Sequence, residues 1–322
     1  MSSGGEHSIL AWHIHGSWMQ ALVSGRHRYL VPVNAARDAD GRGLLGRGWP
    51  RAREIEVDGL RDEDIDLVVL QRPEEIELTE RWTGRRPGVD VAAVFVEHNA
   101  PRPLAVDSVH PLADRDDIPV VHVTDFNRLM WDNGKAPTLV ITHGIADPGP
   151  SYSGEVAAAA TMINEPLRRW RTVGADLLVP LGERVPIDVW GIGTPALADR
   201  NWRGVRARGD VPGPRLWQEV ARRRVFLHTA RWTSLGLSLL EAMFLGMPVV
   251  AVGSTMVPLV VPAEAGVVSA DVETLASALE RFVSDPPAAG AAGKAARDFA
   301  MAHFSLDRFL RDWDRLIDHC CR

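Results

Sequence analysis

The chain has 322 residues, 46% of them hydrophobic and 24% charged, with a formal net charge of -6. This length exceeds the usual single core and the composition is that of an ordinary globular protein, so two domains are expected and disordered or fibrous classes are excluded. The acidic balance argues against nucleic acid as a partner, since phosphate-backbone binding needs a basic surface; local clusters such as Arg168 to Arg171 and Arg222 to Arg224 remain as anion sites.

Short Val/Ile-rich stretches predict strands in the first half at Ser8 to Ile14, Arg28 to Val33, Ile65 to Leu70, Ala92 to Glu97, Ile118 to Thr124 and Thr138 to Thr142. Their nearly continuous hydrophobicity is that of strands covered on both faces. Helices are predicted at Pro73 to Trp82 and Phe126 to Asn133. The run Asp147 to Gly154 is dense in turn formers and reads as a linker. Strands resume at Ala158 to Ile163, Ile187 to Gly191, Val225 to Thr229 and Pro248 to Val252, with a helical pattern at Pro214 to Arg223. Pro286 to Ala296 reads as an Ala/Gly-rich connector. The tail places Leu306, Phe309, Leu310, Trp313, Leu316 and Ile317 at helical spacing. Adjacent Cys320 and Cys321 give neither a disulfide framework nor the gap of a zinc pair. No apolar run approaches the roughly eighteen residues of a membrane span, and the N-terminus lacks a basic region followed by an apolar one. A cytoplasmic protein without a transmembrane segment is expected.

Val225 to Val252 carries the most chemistry. A buried strand, a turn, an apolar helix opened near Gly236 and a second strand after Gly246-Met247-Pro248 form a βαβ unit. Such a unit sets the helix N-terminus, with its unpaired N–H groups, at the carboxyl edge of a parallel sheet where an anion can sit. Glu241 stands in that helix among Leu239, Leu240, Met243 and Phe244. A carboxylate in apolar surroundings needs a partner, and a ligand role is favoured over an exposed helix position. After the first strand, His13-Ile14-His15-Gly16-Ser17 marks a strand-to-helix turn, where Gly16 and Ser17 let backbone N–H groups approach a ligand. His13 and His15 alternate as a metal pair would, yet no Cys or carboxylate cluster completes a ligand set. Histidines satisfied by hydrogen bonds are the commoner reading.

Thr233 to Ala251, with Gly236-Leu237-Ser238-Leu239-Leu240-Glu241-Ala242-Met243 and then Gly246-Met247-Pro248-Val249-Val250-Ala251, resembles the signature of retaining GT-B glycosyltransferases of family 4. That signature has Glu, seven residues, Glu. Its second Glu is Glu241 and its first position holds Thr233. Ala265 to Val268 and Asp271 to Phe282 look like the strand and helix that follow it in the family, and the likeness runs from about Val185 onward.

The resemblance implies an α/β GT-B fold, two Rossmann-like domains with parallel sheets facing across a cleft. An acceptor-side domain would span 1–150, a nucleotide-sugar domain 151–303, and 304–322 would form a helix crossing back to the first domain. It implies transfer of a sugar from a nucleotide-activated donor to an acceptor hydroxyl with retention of configuration, without metal or further cofactor. The acceptor is a small metabolite, a glycan or a lipid-linked molecule, the last implying a peripheral membrane location. Gly236, Leu237 and Ser238 would meet the phosphates and Glu241 the ribose hydroxyls. Arg168 would hold the diphosphate and steady it as it leaves, with Arg171 beside it, because the family's lysine position reads Val173. His98 matches a family histidine that contacts the donor sugar. Thr233 lies where the family's first Glu meets the sugar hydroxyls, implying altered sugar specificity. A non-catalytic GT-B binding protein or partner subunit remains a second reading. An epimerase of the same architecture is a third, disfavoured by the motif from Gly236 to Ala251.

Overall fold

A computed structural model describes residues 5–322 of the chain. They divide into two compact units, one running up to Gly144 and regaining Leu306–Arg322, the other Ile145–Ser305. The first unit contains β1 (Ser8–Ala11), α1 (Gly16–Leu22), β2 (Arg28–Val33), β3 (Ala52–Glu56), β4 (Leu67–Leu70), α2 (Glu74–Thr83), β5 (Ala92–Glu97), β6 (Val120–His122), α3 (Asp125–Met130) and β7 (Thr138–Val140). The second contains β8 (Val156–Met162), α4 (Leu178–Gly182), β9 (Ile187–Trp190), β10 (Val205–Gly209), α5 (Gly213–Ala221), β11 (Arg223–His228), α6 (Leu237–Leu245), β12 (Val249–Val252), α7 (Val257–Val260), β13 (Gly266–Ser269), α8 (Val272–Ser284) and α9 (Pro286–His303). The last helix, α10 (Leu306–Cys320), belongs to the first unit.

Every strand pair in both sheets is parallel. The first sheet has the order β3-β2-β1-β4-β5-β6-β7 and the second β10-β9-β8-β11-β12-β13. Each is the doubly wound Rossmann order, which reverses between its first and fourth strands and leaves a crevice at their carboxyl ends. The two switch points therefore lie at β1/β4 and β8/β11.

Covering on both faces explains the continuous hydrophobicity. In β1, Ile9 and Ala11 enter a core with Trp18 and Met19 of α1 and with Phe309, Trp313 and Ile317 of α10. Leu10 and, just beyond the strand, Trp12 enter the opposite core with Leu78 of α2. In the second sheet, Val225, Leu227 and Val250 pack on Leu275, Leu279 and Phe282 of α8.

The expected strand list missed β3 and β10. Both lie at sheet edges, and their charged, half-exposed residues Arg53, Glu54, Arg206 and Arg208 hide any apolar run while discouraging edge pairing. The expected connector at Pro286 to Ala296 is helix. The Asp285 side chain accepts from Ala288 N at 3.0 Å, and two prolines fit the first turn, where no backbone donor is required. The small residues then serve close packing: a Cβ on Gly293 would stand 2.0 Å from the carbonyl oxygen of Gly246. The division between units falls at Gly144, ahead of the turn-rich run from Asp147. Arg297 of α9 binds Asp147 through both terminal nitrogens, at 2.8 and 2.7 Å, and ties that run to the second unit.

Candidate functional site

The loop between β11 and α6, at the β8/β11 switch point, is pinned from two sides. On one side, the Thr229 hydroxyl donates to the Val173 carbonyl at 2.7 Å, and the backbone N–H groups of Arg231 and Trp232 donate to the Thr172 carbonyl at 2.9 and 3.2 Å. Arg231 also binds Asp176 through two nitrogens, at 2.6 and 2.9 Å. On the other side, hydroxyls that follow β12 reach back: Ser254 donates to the Ala230 carbonyl at 2.8 Å and Thr255 to the Thr233 carbonyl at 2.7 Å. Thr233 is thereby fixed through its backbone, its side chain partly buried in the loop.

Gly236 is the N-cap of α6 and no side chain caps the helix. The helix thus opens with the N–H groups of Leu237 and Ser238 and the partial positive charge of its dipole. Glycine lets the cap approach closely, because a Cβ there would stand 2.8 Å from Cε1 of His228, the last residue of β11, and the ring would have to shift. Glu241 is on the same helix and mostly buried. Burial pushes its carboxyl up to about 7, against the opposing effect of the Trp217 indole, which donates to it from α5. A carboxylate so raised is poised to accept hydrogen bonds from a ligand that completes its solvation.

The segment after β8 carries the expected cations. Glu165 adopts φ 52° and its N–H donates to the Ile192 carbonyl at 2.7 Å, which ties the ends of β8 and β9 together. Arg168 is exposed and paired with Glu165; Arg171 is exposed and paired with Asp176. The side chain of Arg169, half-buried between them, makes no hydrogen bond or ion pair among the described residues. Burial, and secondarily Arg168, lowers its pKa. Val173, at the position where a lysine was looked for, is a core residue 5% exposed.

In the first unit the carboxyl edge is rich in histidine. Gln71, following β4, donates to the Trp12 carbonyl at 2.7 Å and meets Nε2 of His98 with its amide oxygen at 3.1 Å, so it joins the ends of β1 and β5. The His98 ring lies 4.1 Å from that of His15 and edge-on to Trp18. His15, His98 and His143 interact electrostatically, and burial lowers all three pKa values, His143 to about 4. Neutral imidazoles beside an amide suit hydroxyl ligands better than phosphates. Gly16 opens α1 against Arg47, whose Nη2 would be 3.0 Å from a Cβ there, and Ser17 is exposed in the first turn. His13 is satisfied by the Gly43 carbonyl, 3.0 Å from Nδ1. Among the described residues no group of three or more His, Cys, Asp or Glu side chains is arranged to hold a metal ion.

The second unit thus brings together Thr233, Gly236, Leu237, Ser238 and the Arg171 segment. The first unit separately gathers Gly16, Ser17 and His98. Sequence reasoning overlooked His228, read only as strand, and Trp217 and Arg231, which carry no motif.

Residues 195–299 match the family model described as Glycosyl transferases group 1. No curated protein matches the chain. Among solved structures, HepE of Anabaena in complex with UDP and glucose is similar at 15% identity, covering 98% of this chain and 100% of that one, with a TM-score of 0.73. Sucrose-phosphate synthase of Thermosynechococcus elongatus is similar at 16% identity over 98% and 99% of the two chains, with a TM-score of 0.72. A TarM mutant of S. aureus, in complex with fondaparinux, alpha-GlcNAc-glycerol and UDP, matches at 15% identity over 78% of this chain, with a TM-score of 0.63. The chain spans 55% of the length of that TarM protein. The fold is the GT-B glycosyltransferase fold, with two Rossmann-like units of parallel sheet. No helix among the described residues is long and apolar enough to cross a membrane.

Proposed function

We propose that the protein is a retaining, metal-independent glycosyltransferase of family 4 type, taking its sugar from a nucleotide-activated donor and passing it to an acceptor hydroxyl. The observation that carries this reading is the pair formed by an uncapped α6 N-terminus and a partly buried, raised Glu241 on the same helix at a sheet switch point. The helix end supplies donors where negative charge develops on a departing diphosphate, and Glu241 accepts from the ribose hydroxyls. The match to glycosyl transferases group 1 spans this helix, and the UDP and glucose in complex with HepE support a nucleotide-sugar donor. Arg168, Arg169 and Arg171 supply positive field in place of a cation. The neutral edge of the first unit, His98 with His15 and Gln71, supplies hydrogen bonds to sugar or acceptor hydroxyls. A soluble metabolite, a glycan or a lipid-linked acceptor is compatible with it.

Retention follows from nucleotide departure and attack by the acceptor hydroxyl on the same face. Incubation with a panel of UDP-, GDP- and ADP-sugars in the presence of a chelator, with nucleotide release and product stereochemistry followed, tests the reading. Release with a retained anomer supports it; an inverted product, or turnover only after magnesium is added, overturns the mechanism.

Thr233 at the first signature position favours a second reading, a nucleotide-binding protein that does not transfer. Tight binding without release from any donor supports it, and Thr233→Glu is then the variant expected to restore release.

A further inference from the structure

We propose that His228 is a ligand for the terminal phosphate of a nucleoside diphosphate, its imidazole acting from beneath the first turn of α6. This rests on the reading of the second unit as the nucleotide site and adds a residue to it. His228 ends β11 beside the β8/β11 switch point and is 7% exposed. His13, His98, His110 and His122 each have a hydrogen-bonding partner. The His228 ring has no protein partner among the described residues. A ring that is mostly buried and has no protein partner leaves its nitrogens open to a ligand.

Its direction is set by the fold. Side chains alternate along a strand, so Leu227, in the core with α8, and His228 point to opposite faces. The imidazole therefore faces the α6 side, where its edge lies against Gly236, with Cε1, Nε2 and Nδ1 at 2.8, 3.5 and 3.7 Å from a Cβ position on that residue. A Cβ at 236 would displace the ring from this position. The uncapped N-terminus, the glycine and the unpartnered imidazole together make an anion cradle with one donor that can also gain charge.

Burial alone governs protonation of the free ring and lowers its pKa to about 4. Neither Arg223 on β11 nor Glu219 on α5, Glu241 on α6, Arg281 on α8 or Arg297 on α9 contributes. At neutral pH the free imidazole is uncharged, and a phosphate beside it shifts the balance toward imidazolium.

The test compares whichever of UDP, GDP and ADP binds with its own nucleoside, by calorimetry, in the wild type, His228→Leu and His228→Gln. The ribose contact is common to both ligands, so their affinity ratio reports the phosphates. His228→Leu should lower diphosphate affinity by about tenfold or more with nucleoside affinity unchanged, and His228→Gln, which keeps one N–H donor, should recover part of it. An unchanged ratio in His228→Leu overturns the proposal while leaving the nucleotide site standing. Absence of binding by all three diphosphates to the wild type overturns both. Should the variants not fold, nitrogen-15 spectra of the wild-type ring, assigned through its backbone, decide the matter. With the diphosphate bound the ring should titrate between about pH 5 and 7, and with the nucleoside it should stay neutral there. Identical titration in the two complexes overturns the proposal.

Discussion

A Cβ on Gly174 would stand 1.9 Å from the carbonyl oxygen of Thr229, so the turn that closes the arginine segment lies flat against the end of β11. Gly174 also has φ 68°, a left-handed conformation that costs a side-chain-bearing residue about 1–2 kcal/mol before any clash is counted. Gly174→Ala must therefore move the segment carrying Arg168, Arg169 and Arg171 away from the α6 loop. The expected outcome is a lower thermal midpoint together with weaker diphosphate binding. A variant with wild-type stability and affinity would show that the contact is dispensable.

Glu241→Gln should weaken nucleotide binding by about 1–3 kcal/mol, the scale for losing a charged hydrogen-bond partner. The raised carboxyl also sets a pH dependence with a definite sign. Its folded value of about 7 lies above the ordinary 4.5. Its contribution to stability is full below the ordinary value and is lost as pH rises through about 7. Nucleotide affinity runs the opposite way, since the ionised form is the better acceptor, and its Glu241 contribution should increase from about pH 6 to 8. Buried Glu75, also raised to about 7, titrates in the same window. Denaturant midpoints and calorimetry of wild type and Glu241→Gln across that range therefore isolate the Glu241 share as their difference.

Arg169→Ala should lower diphosphate affinity, relative to the nucleoside, by more than Arg168→Ala does. Arg168 already has Glu165 as a partner, whereas Arg169 has no carboxylate in contact. A charged hydrogen bond lost from Arg169 corresponds to about tenfold or more. Equal effects from the two substitutions would mean that the ion pair with Glu165 opens when nucleotide binds. A larger effect at Arg168 would return the leading role to that residue.

Trp313→Ala should destabilise the first unit by about 3–5 kcal/mol, the range for truncating a buried aromatic. Trp313 is 1% exposed and packs edge-on to Trp18 of α1, with Phe309 and Ile317 beside it in the same core. Helix α10 is further held by Arg26, which reaches Asp314 at 3.1 Å and Asp318 at 2.7 Å. Denaturant unfolding followed by tryptophan fluorescence checks the magnitude; a loss below about 1 kcal/mol would imply that the core closes around the gap.

The β11, α6 and β12 unit could be read directly from the chain because each signal in it is local. The strands are short apolar runs, Gly236 and Gly246 bracket the helix, and Glu241 is conspicuous among apolar neighbours. Buried strands announce themselves in the same way, since covering both faces demands apolar residues at every position. Edge strands β3 and β10 do not, because one side meets water and admits Arg and Glu. Helix α9 was hidden for another reason: its alanines and glycines look like a linker, and only the approach of Gly293 to the Gly246 carbonyl explains why small residues are needed there. The site divides similarly. Which residue types stand near the helix opening is written in the sequence, but Arg231 engaging Asp176, the Thr229 hydroxyl meeting the Val173 carbonyl, and Gly174 lying against Thr229 depend on residues brought together by parallel pairing of strands far apart in the chain. Local periodicity encodes which way one element faces; it carries no record of which distant side chain will meet it, and partners alone decide whether a cation or an imidazole is already satisfied or still open to a ligand.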